Sequence, residues 1–380
     1  MVTNQAMLCD NEGVFVFRNI NNSWIQVGQD LYGENSSAEG GKSVHLSADG
    51  SVVAFGIPNT TVNGVFFAGR VKVFENQNNN WVQKGGDING DGSIIKFGTS
   101  VSISDDGNIL AIGQTGNPGS QAQTDIGRVK VYQFANNEWV QLGSTISGSA
   151  VNDEFGSSVS LSDSGTILAI GSFSSNQVKV YQLISENWTQ LGNTLVGENP
   201  GDLFGDRVSL SNNGKFLAVG ARFNSIDGFN KGRAYIYENQ GGTWTQVNNP
   251  ISGANNSDLS AFALAISQDG SRVIIGATGN DDAGSNAGHV RIFENTSLST
   301  TDFETNTISF FPNPAKDNVN FVSVNTIERI SIYNLLGQEV ISKKVNSNEF
   351  NLDISNLSNS TYVVELINNN KSQSVKLIKF

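Results

Sequence analysis

The sequence predicts an all-β chain: a β-propeller of four-stranded blades, five complete repeats and a partial sixth, then a small Ig-like β-sandwich. Three observations predict it. All five tryptophans open a W-x-Q phrase, at Trp24, Trp81, Trp139, Trp188 and Trp244, with spacings of 57, 58, 49 and 56 residues. A turn written S-x-D/S/N-G ends at Gly50, Gly107, Gly165, Gly214 and Gly270. A β-rich phrase recurs at Val14–Phe17, Val71–Phe74, Val129–Tyr132, Val178–Tyr181, Ala234–Tyr237 and Val290–Phe293. Self-similarity at such a period means stacked supersecondary units that cannot bury their apolar surface alone.

Each unit reads as four strands. The first is V-S-I-S at 101–104, matched at 159–162 and 208–211. A short Asp/Asn/Gly turn leads into I-L-A-I-G at 109–113, matched at 167–171 and 216–220. A variable Gly/Asn/Ser loop precedes the third run at 128–132, and an Asn-rich hairpin leads to the fourth at 139–143. The second run is apolar on both faces (Leu110, Ala111, Ile112), so it needs a sheet above and below. Radially stacked sheets provide that. A parallel β-helix competes, but its coils are shorter and lack these hairpin turns. Each Trp is expected to cover a blade edge while its N–H reaches water. Ahead of Val14 no first or second strand is recognised. Either the termini share a closing strand, or the beginning of the chain is lost.

Composition narrows the function classes. Of 380 residues, 15% are charged, 41 are Gly and only 6 are Pro, the balance of a turn-rich β protein. The net charge of −12 argues against nucleic acid or anionic lipid as a partner. Cys9 is the only cysteine, which excludes an intramolecular disulfide and a thiolate metal site. No apolar stretch is long enough to span a bilayer. The first ten residues lack the basic and apolar regions of a signal peptide.

The phrases Phe97-Gly98, Phe155-Gly156 and Phe204-Gly205, each followed by V-S after two residues, resemble the FG-GAP repeats of integrin α-like propellers over residues 13–295. Two units depart from the pattern, with Gly40-Gly41 and Ser260-Ala261. The resemblance implies protein or glycan binding through loops on one face, often with calcium in D-x-D-x-D-G loops. Here that pattern is thin: Asp87, Asn89 and Asp91 start such a loop, but Gly98 stands where a bidentate acid belongs. Asp281 and Asp282 form a second acidic loop. The expectation is no cofactor, with calcium at these residues as the alternative.

After a Ser/Thr-rich linker (296–305) the repeat phrases stop. Residues 306–380 resemble the C-terminal sorting domain of the type IX secretion system of Bacteroidota, carried by Pro312, Asn313, Pro314, Gly337, Lys376 and Lys379. The resemblance implies export to the cell surface or medium and contact with that secretion machinery. It also implies a signal peptide, so loss of the N-terminal beginning is expected.

Chemistry is sparse. With two histidines, imidazole catalysis has little to build on. His45 replaces the serine of other first strands and is placed near the axis. Arg70, Arg128, Arg233 and His289 share one slot at the start of the third strands. They form either a collar for an anionic group or loop-fixing pairs with neighbouring turns. Asp153, Asp202 and Asp258 recur before the Phe-Gly slot, as turn-capping residues do. No nucleophile elbow, phosphate loop or zinc helix occurs. The expected function is therefore non-enzymatic binding of an extracellular protein or glycan, adhesion-like. Its ligand should meet the loops Pro58–Ala68, Thr115–Asp125, Phe223–Lys231 and Thr278–Ala287. The alternative is a secreted polysaccharide hydrolase or lyase, which should show residues peculiar to single blades around the axis.

Overall fold

The structure, a computed structural model, describes residues 5–9, 13–33, 39–116, 126–294, 309–334, 338–368 and 371–380. The linker at 296–305 lies outside them. The chain divides into two compact units, 1–298 and 299–380.

Among the described residues the first unit contains six antiparallel sheets laid down in chain order. The first holds β1 (Gln5–Cys9), β2 (Gly13–Ile20), β3 (Ser23–Gln26) and β4 (Leu31–Tyr32). The second holds β5 (Val44–Leu46), β6 (Val52–Ile57), β7 (Arg70–Asn76), β8 (Trp81–Gln83) and β9 (Ile88–Asn89). The third holds β10 (Phe97–Ile103), β11 (Ile109–Gln114), β12 (Arg128–Ala135), β13 (Glu138–Gln141) and β14 (Ile146–Ser147). The fourth holds β15 (Phe155–Leu161), β16 (Ile167–Ser172), β17 (Gln177–Ile184), β18 (Asn187–Gln190) and β19 (Leu195–Val196). The fifth holds β20 (Phe204–Leu210), β21 (Phe216–Ala221), β22 (Arg233–Gln240) and β23 (Thr243–Ser252). The sixth holds β24 (Ser260–Ile266), β25 (Arg272–Ala277) and β26 (His289–Glu294).

Five short strands differ from the four-strand reading. β4, β9, β14 and β19 are two-residue strands that fold back onto β2, β7, β12 and β17 of their own sheets. They escape a periodicity argument because two residues show no alternation. β1 pairs with β2 from Gln5↔Arg18 to Cys9↔Val14, so the second-strand position before Val14 is filled. Its sequence, QAMLC, shares none of the I-L-A-I-G phrase.

The cores lie between sheets. Leu110 and Ile112 of β11 pack into one apolar cluster with Val71, Val73 and Phe97, while Ala111 belongs to the next, with Val129, Phe155 and Leu168. Alternate residues of one strand thus serve two cores, as burial on both faces requires. This is a β-propeller-like fold.

Two devices repeat at the junctions between sheets. Gly113 of β11 faces Gly156 of β15 so closely that a Cβ on Gly113 would lie 2.0 Å from the Gly156 carbonyl oxygen. Gly156 in turn has φ +88°, a left-handed conformation that side chains disfavour. Gly56 with Gly98 and Gly171 with Gly205 repeat the arrangement. The glycines of the F-G and L-A-I-G phrases are therefore two halves of one backbone contact. The second device is a tryptophan latch. Trp81, Trp139, Trp188 and Trp244 donate their indole N–H to the carbonyls of Val27, Lys84, Leu142 and Leu191 in the preceding sheet, at 2.8, 2.8, 3.0 and 3.0 Å. Each ring sits over the glycine that ends the preceding W-x-Q-x-G phrase. The N–H expected to reach water is instead spent on the neighbouring sheet. Trp24, with no described sheet before it, is 54% exposed.

The second unit is one five-stranded sheet: β27 (Ser309–Phe311), β28 (Asn318–Tyr333), β29 (Glu339–Asp353), β30 (Ser360–Asn368) and β31 (Lys371–Lys379). The sixteen-residue β28 pairs with β27 near Phe321 and with β30 near Ile332, and β29 runs along it throughout. Its core comprises Val319, Phe321, Ile330, Ile332, Leu352 and Val364, among others. No helix among the described residues is long and apolar enough to cross a membrane.

Candidate functional site

The S-x-D/S/N-G turns join the sheets at one end of the first unit. The amides of Ala48, Asp105, Asp163 and Asn212 donate to the carbonyls of Asp105, Asp163, Asn212 and Gln268 in the next turn. Within each turn the side chains are closed off, as where Ser47 Oγ bonds Asp49 at 2.7 Å and accepts the Val52 amide at 2.9 Å. The other end of the same strands is open. There the starts of β10, β15, β20 and β24, the β5 side of Ser43 and the loops after the second strands surround a cavity of about 710 Å³.

The sheets differ from one another around this cavity. The residue after the F-G slot is Lys42, Thr99, Ser157, Asp206 and Phe262 in successive sheets, and all five line the cavity. The residue before it is Glu39, Lys96 and Glu154 in the first three of those sheets, again lining residues. Pro58, Thr115, Phe173 and Arg222 follow the second strands and complete the wall.

Charge here is unevenly paired. Lys42 pairs with Glu39 at 3.3 Å. Asp206, 4% exposed, has Arg207 at 3.3 Å and Arg222 at 3.2 Å. Both guanidinium groups lie over the Phe262 ring, 5.8 and 5.1 Å from its centroid, which fixes them. Glu154 is buried, and that burial raises its pKa against the weaker lowering effects of a Ser174 hydrogen bond and the Lys96 charge. Glu154 Oε2, Asp206 Oδ2 and Arg222 Nε are buried without a hydrogen-bond partner. Asp206 Oδ2 and Arg222 Nε are nevertheless ion-paired with each other, which leaves Glu154 Oε2 without a partner among the described residues.

His45 stands one residue along β5 from the cavity-lining Val44. Its Nδ1 accepts the Ile103 amide at 3.2 Å, as Ser102, Ser160 and Ser209 accept from Leu161, Leu210 and Ile266. A ring nitrogen that accepts this amide carries no proton. His45 thus takes over the serine's inter-sheet bond.

The arginine slot lies outside the cavity wall. Arg70 meets Asp87 at 3.0 Å and donates to Asn89 at 2.7 Å, and Arg233 meets Glu198 at 2.9 Å and also Asp227. Arg128 and His289 begin β12 and β26 in the same position. Among the proposed calcium residues, Asp87 and Asn89 share Arg70, while Asp91 takes Lys130 at 2.7 Å. Asp281 Oδ1 accepts the Asn286 amide, and Asp282 bonds Asn255 and Asn280. No cluster of three or more His, Cys, Asp or Glu groups fit for a metal occurs among the described residues. Asp153, Asp202 and Asp258 cap the amides of Ala150, Asn199 and Asn255 at 2.8, 3.2 and 2.8 Å.

In the second unit the sequence motif residues come together from opposite ends. Asn313 donates to the Lys376 carbonyl at 2.9 Å and accepts the Ile378 amide at 2.8 Å. Ala315, just past Pro312 and Pro314, exchanges backbone bonds with Ile378 and Phe380 at 2.8 and 3.1 Å. Lys379 is buried, with Nζ 3.3 Å from the Phe380 carbonyl. Gly337 lies outside the described residues.

Fold and motifs together define an all-β, propeller-like protein with an export domain. Residues 197–237 match the FG-GAP repeat, and residues 309–379 match the secretion system C-terminal sorting domain. The chain thus carries an FG-GAP repeat and a type IX sorting domain, and is a secreted or cell-surface protein that engages that secretion machinery. No curated protein matches it. Among solved structures, a functionally unknown protein from Desulfotomaculum acetoxidans is 14% identical with a TM-score of 0.50, covering 92% of this chain and 99% of that one. The periplasmic gluconolactonase of Pseudomonas aeruginosa is 16% identical (TM-score 0.49, covering 90% and 95%). PorZ, a surface component of the type IX secretion system of Porphyromonas gingivalis, is 11% identical (TM-score 0.43, covering 98% and 51%). At these identities the first likeness extends to the fold alone, and the other two carry no weight for function.

Proposed function

We propose that this is a non-enzymatic binding protein of the cell surface or medium, adhesion-like, whose glycan or protein ligand enters the axial cavity and meets the loops around it. One observation carries the reading: the same strands that are interchangeable at their junctions differ from sheet to sheet at the cavity. Scaffold positions repeat, whereas a binding surface must be individual. The loops Pro58–Ala68 and Phe223–Lys231 begin at the cavity wall and display the exposed Phe66, Phe67, Phe223 and Phe229. Residues 117–125 of a third loop lie outside the described residues. In this reading the six sheets are propeller blades, the first without an innermost strand and the last without an outermost one among the described residues. The second unit is a small Ig-like sandwich.

A glycan and matrix-protein array, probed with the full chain in calcium and in chelator, tests the proposal. Binding abolished by a cavity-filling Ser157→Trp substitution supports it, and binding indifferent to that substitution removes the cavity from it. Chelator sensitivity would assign calcium a role at Asp87, Asn89 and Asp91 or at Asp281 and Asp282.

A second reading, a polysaccharide hydrolase or lyase, draws on Glu154 and Asp206 sharing the cavity. Burial pushes Glu154 toward its neutral acid, and Asp206 lies beside Arg207 and Arg222, so the two carboxyl groups sit in unlike surroundings, as the members of an acid–base couple do. Release of new sugar ends from an array polysaccharide, lost in Glu154→Gln, would favour it.

A further inference from the structure

The cavity's chemistry narrows the ligand, provided the cavity is a ligand site as proposed above. Its wall combines an excess of cationic side chains with buried polar atoms that make no hydrogen bond.

Charge comes first. The chain carries −12, yet the cavity wall holds four cations, Lys42, Lys96, Arg207 and Arg222, against three carboxylates, Glu39, Glu154 and Asp206. Lys42 is neutralised by Glu39, and Asp206 is shared by two arginines. Lys96 forms no ion pair among the described residues. A cationic ligand is therefore repelled, and an anionic group finds its counter-charge at Lys96 and the arginine pair.

The orphaned atoms then discriminate among anions. Glu154 Oε2 and Asp206 Oδ2 need donors, and Arg222 Nε needs an acceptor. Asp206 Oδ2 and Arg222 Nε lie 3.2 Å apart as an ion pair, so their charges answer one another while their hydrogen-bonding directions stay unused. A phosphate presents acceptors only and leaves two carboxylate oxygens facing it unpaired. A sugar hydroxyl both donates and accepts, and the wall adds the hydroxyls of Ser43, Thr99 and Thr115. Phe173 supplies a half-buried ring for an apolar sugar face. The volume of about 710 Å³ suits one or two sugar rings.

We propose that the axial cavity binds a uronate, a sugar ring bearing a carboxylate, as one residue of an acidic glycan. Lys96 and the Arg222 side receive the carboxylate, and Glu154 and Asp206 receive ring hydroxyls. The overall negative charge weakens unspecific adherence of the same polyanion elsewhere on the surface, so selectivity resides in this mouth.

Calorimetric titration of the full chain with trimers of galacturonate and of glucuronate, and with their methyl esters, tests the inference at neutral pH. The esters keep every hydroxyl and lose only the charge. The expected result is binding of at least one free acid, weakened about tenfold or more by esterification. Lys96→Met should remove the same factor for the acid and leave the ester's affinity unchanged. A thermal melt of that variant, expected to match the parent because Lys96 makes no ion pair among the described residues, separates lost binding from lost folding. Equal affinity for acid and ester overturns the uronate inference while leaving a sugar-binding cavity. Binding of none of the four probes also overturns it. The broader binding reading then stands or falls on the array and on Ser157→Trp.

Discussion

The junctions between sheets and the mouth of the axial cavity are built from the same strands, yet they obey opposite rules. At the junctions the units are nearly interchangeable: glycine against glycine, indole N–H to carbonyl, serine or histidine to amide. At the mouth, one residue further along, the equivalent positions read Lys42, Thr99, Ser157, Asp206 and Phe262. The difference separates geometry from chemistry. Stacking sheets at close range allows one solution, so it repeats. Recognition, as proposed for the cavity, would use whatever side chain each sheet presents, so it need not repeat.

The comparison breaks most severely at the glycine contact. Gly113→Ala places a methyl 2.0 Å from the Gly156 carbonyl oxygen and forces two sheets apart. It should cost about 3 kcal/mol in denaturant unfolding of the full chain. A loss below about 1 kcal/mol would show that the junction is soft.

Next in size is the latch. Trp139→Phe leaves the Lys84 carbonyl without its indole donor and opens space above Gly85. A loss of about 1–2 kcal/mol is expected, whereas Trp24→Phe, at an exposed ring, should change stability by less than about 0.5 kcal/mol. Equal effects at the two positions would contradict the inter-sheet role.

The Gly220 junction departs from the glycine rule and offers a gain. Ala261 takes the position of the F-G glycine with φ +68°, and it faces Gly220. Ala261→Gly should stabilise by about 0.5–1 kcal/mol, since the relief of a left-handed alanine exceeds the added entropy of glycine in the unfolded chain. A destabilisation would mean that the Ala261 methyl contributes packing that outweighs its backbone strain.

The smallest effect belongs to the mouth. The folded state raises the Glu154 pKa, so it holds a proton that the unfolded chain has already released. Stability should therefore fall as pH rises from the ordinary glutamate range through the raised value, and the penalty should be complete above it. Glu154→Gln should flatten that part of the stability–pH curve and leave the junctions unchanged. An unaltered curve would place the titration elsewhere.

Much of the scaffold was legible because its constraints act at fixed distance along the chain. The turn serine, the L-A-I-G strand and the capping acids at Asp153, Asp202 and Asp258 are local devices, and local devices leave a period. β1 was not legible, since Gln5–Cys9 is a strand only through pairing with β2. The tryptophans were visible as repeats, but their N–H partners lie 46 to 55 residues away. Nothing local distinguishes an indole reaching water from one bonding the next sheet. The cavity residues were the hardest. Lys96, Glu154, Asp206 and Arg222 break the repeat where the sequence offers no reason to look, beyond their adjacency to the F-G and L-A-I-G phrases. His45 was visible as a departure and proved to be a substitute for serine.

The sequence by itself determined the repeating sheets, the sorting domain and the short list of chemistries the chain can perform, because periodicity, composition and contiguous motifs survive in one dimension. Only the tertiary structure decided which irregular residues meet. The axial cavity gathers side chains from five sheets between Glu39 and Phe262, and the sorting motif joins Asn313 to Lys376 and Ile378. Proximity between distant residues is created by stacking and strand pairing, and spacing along the chain does not encode it.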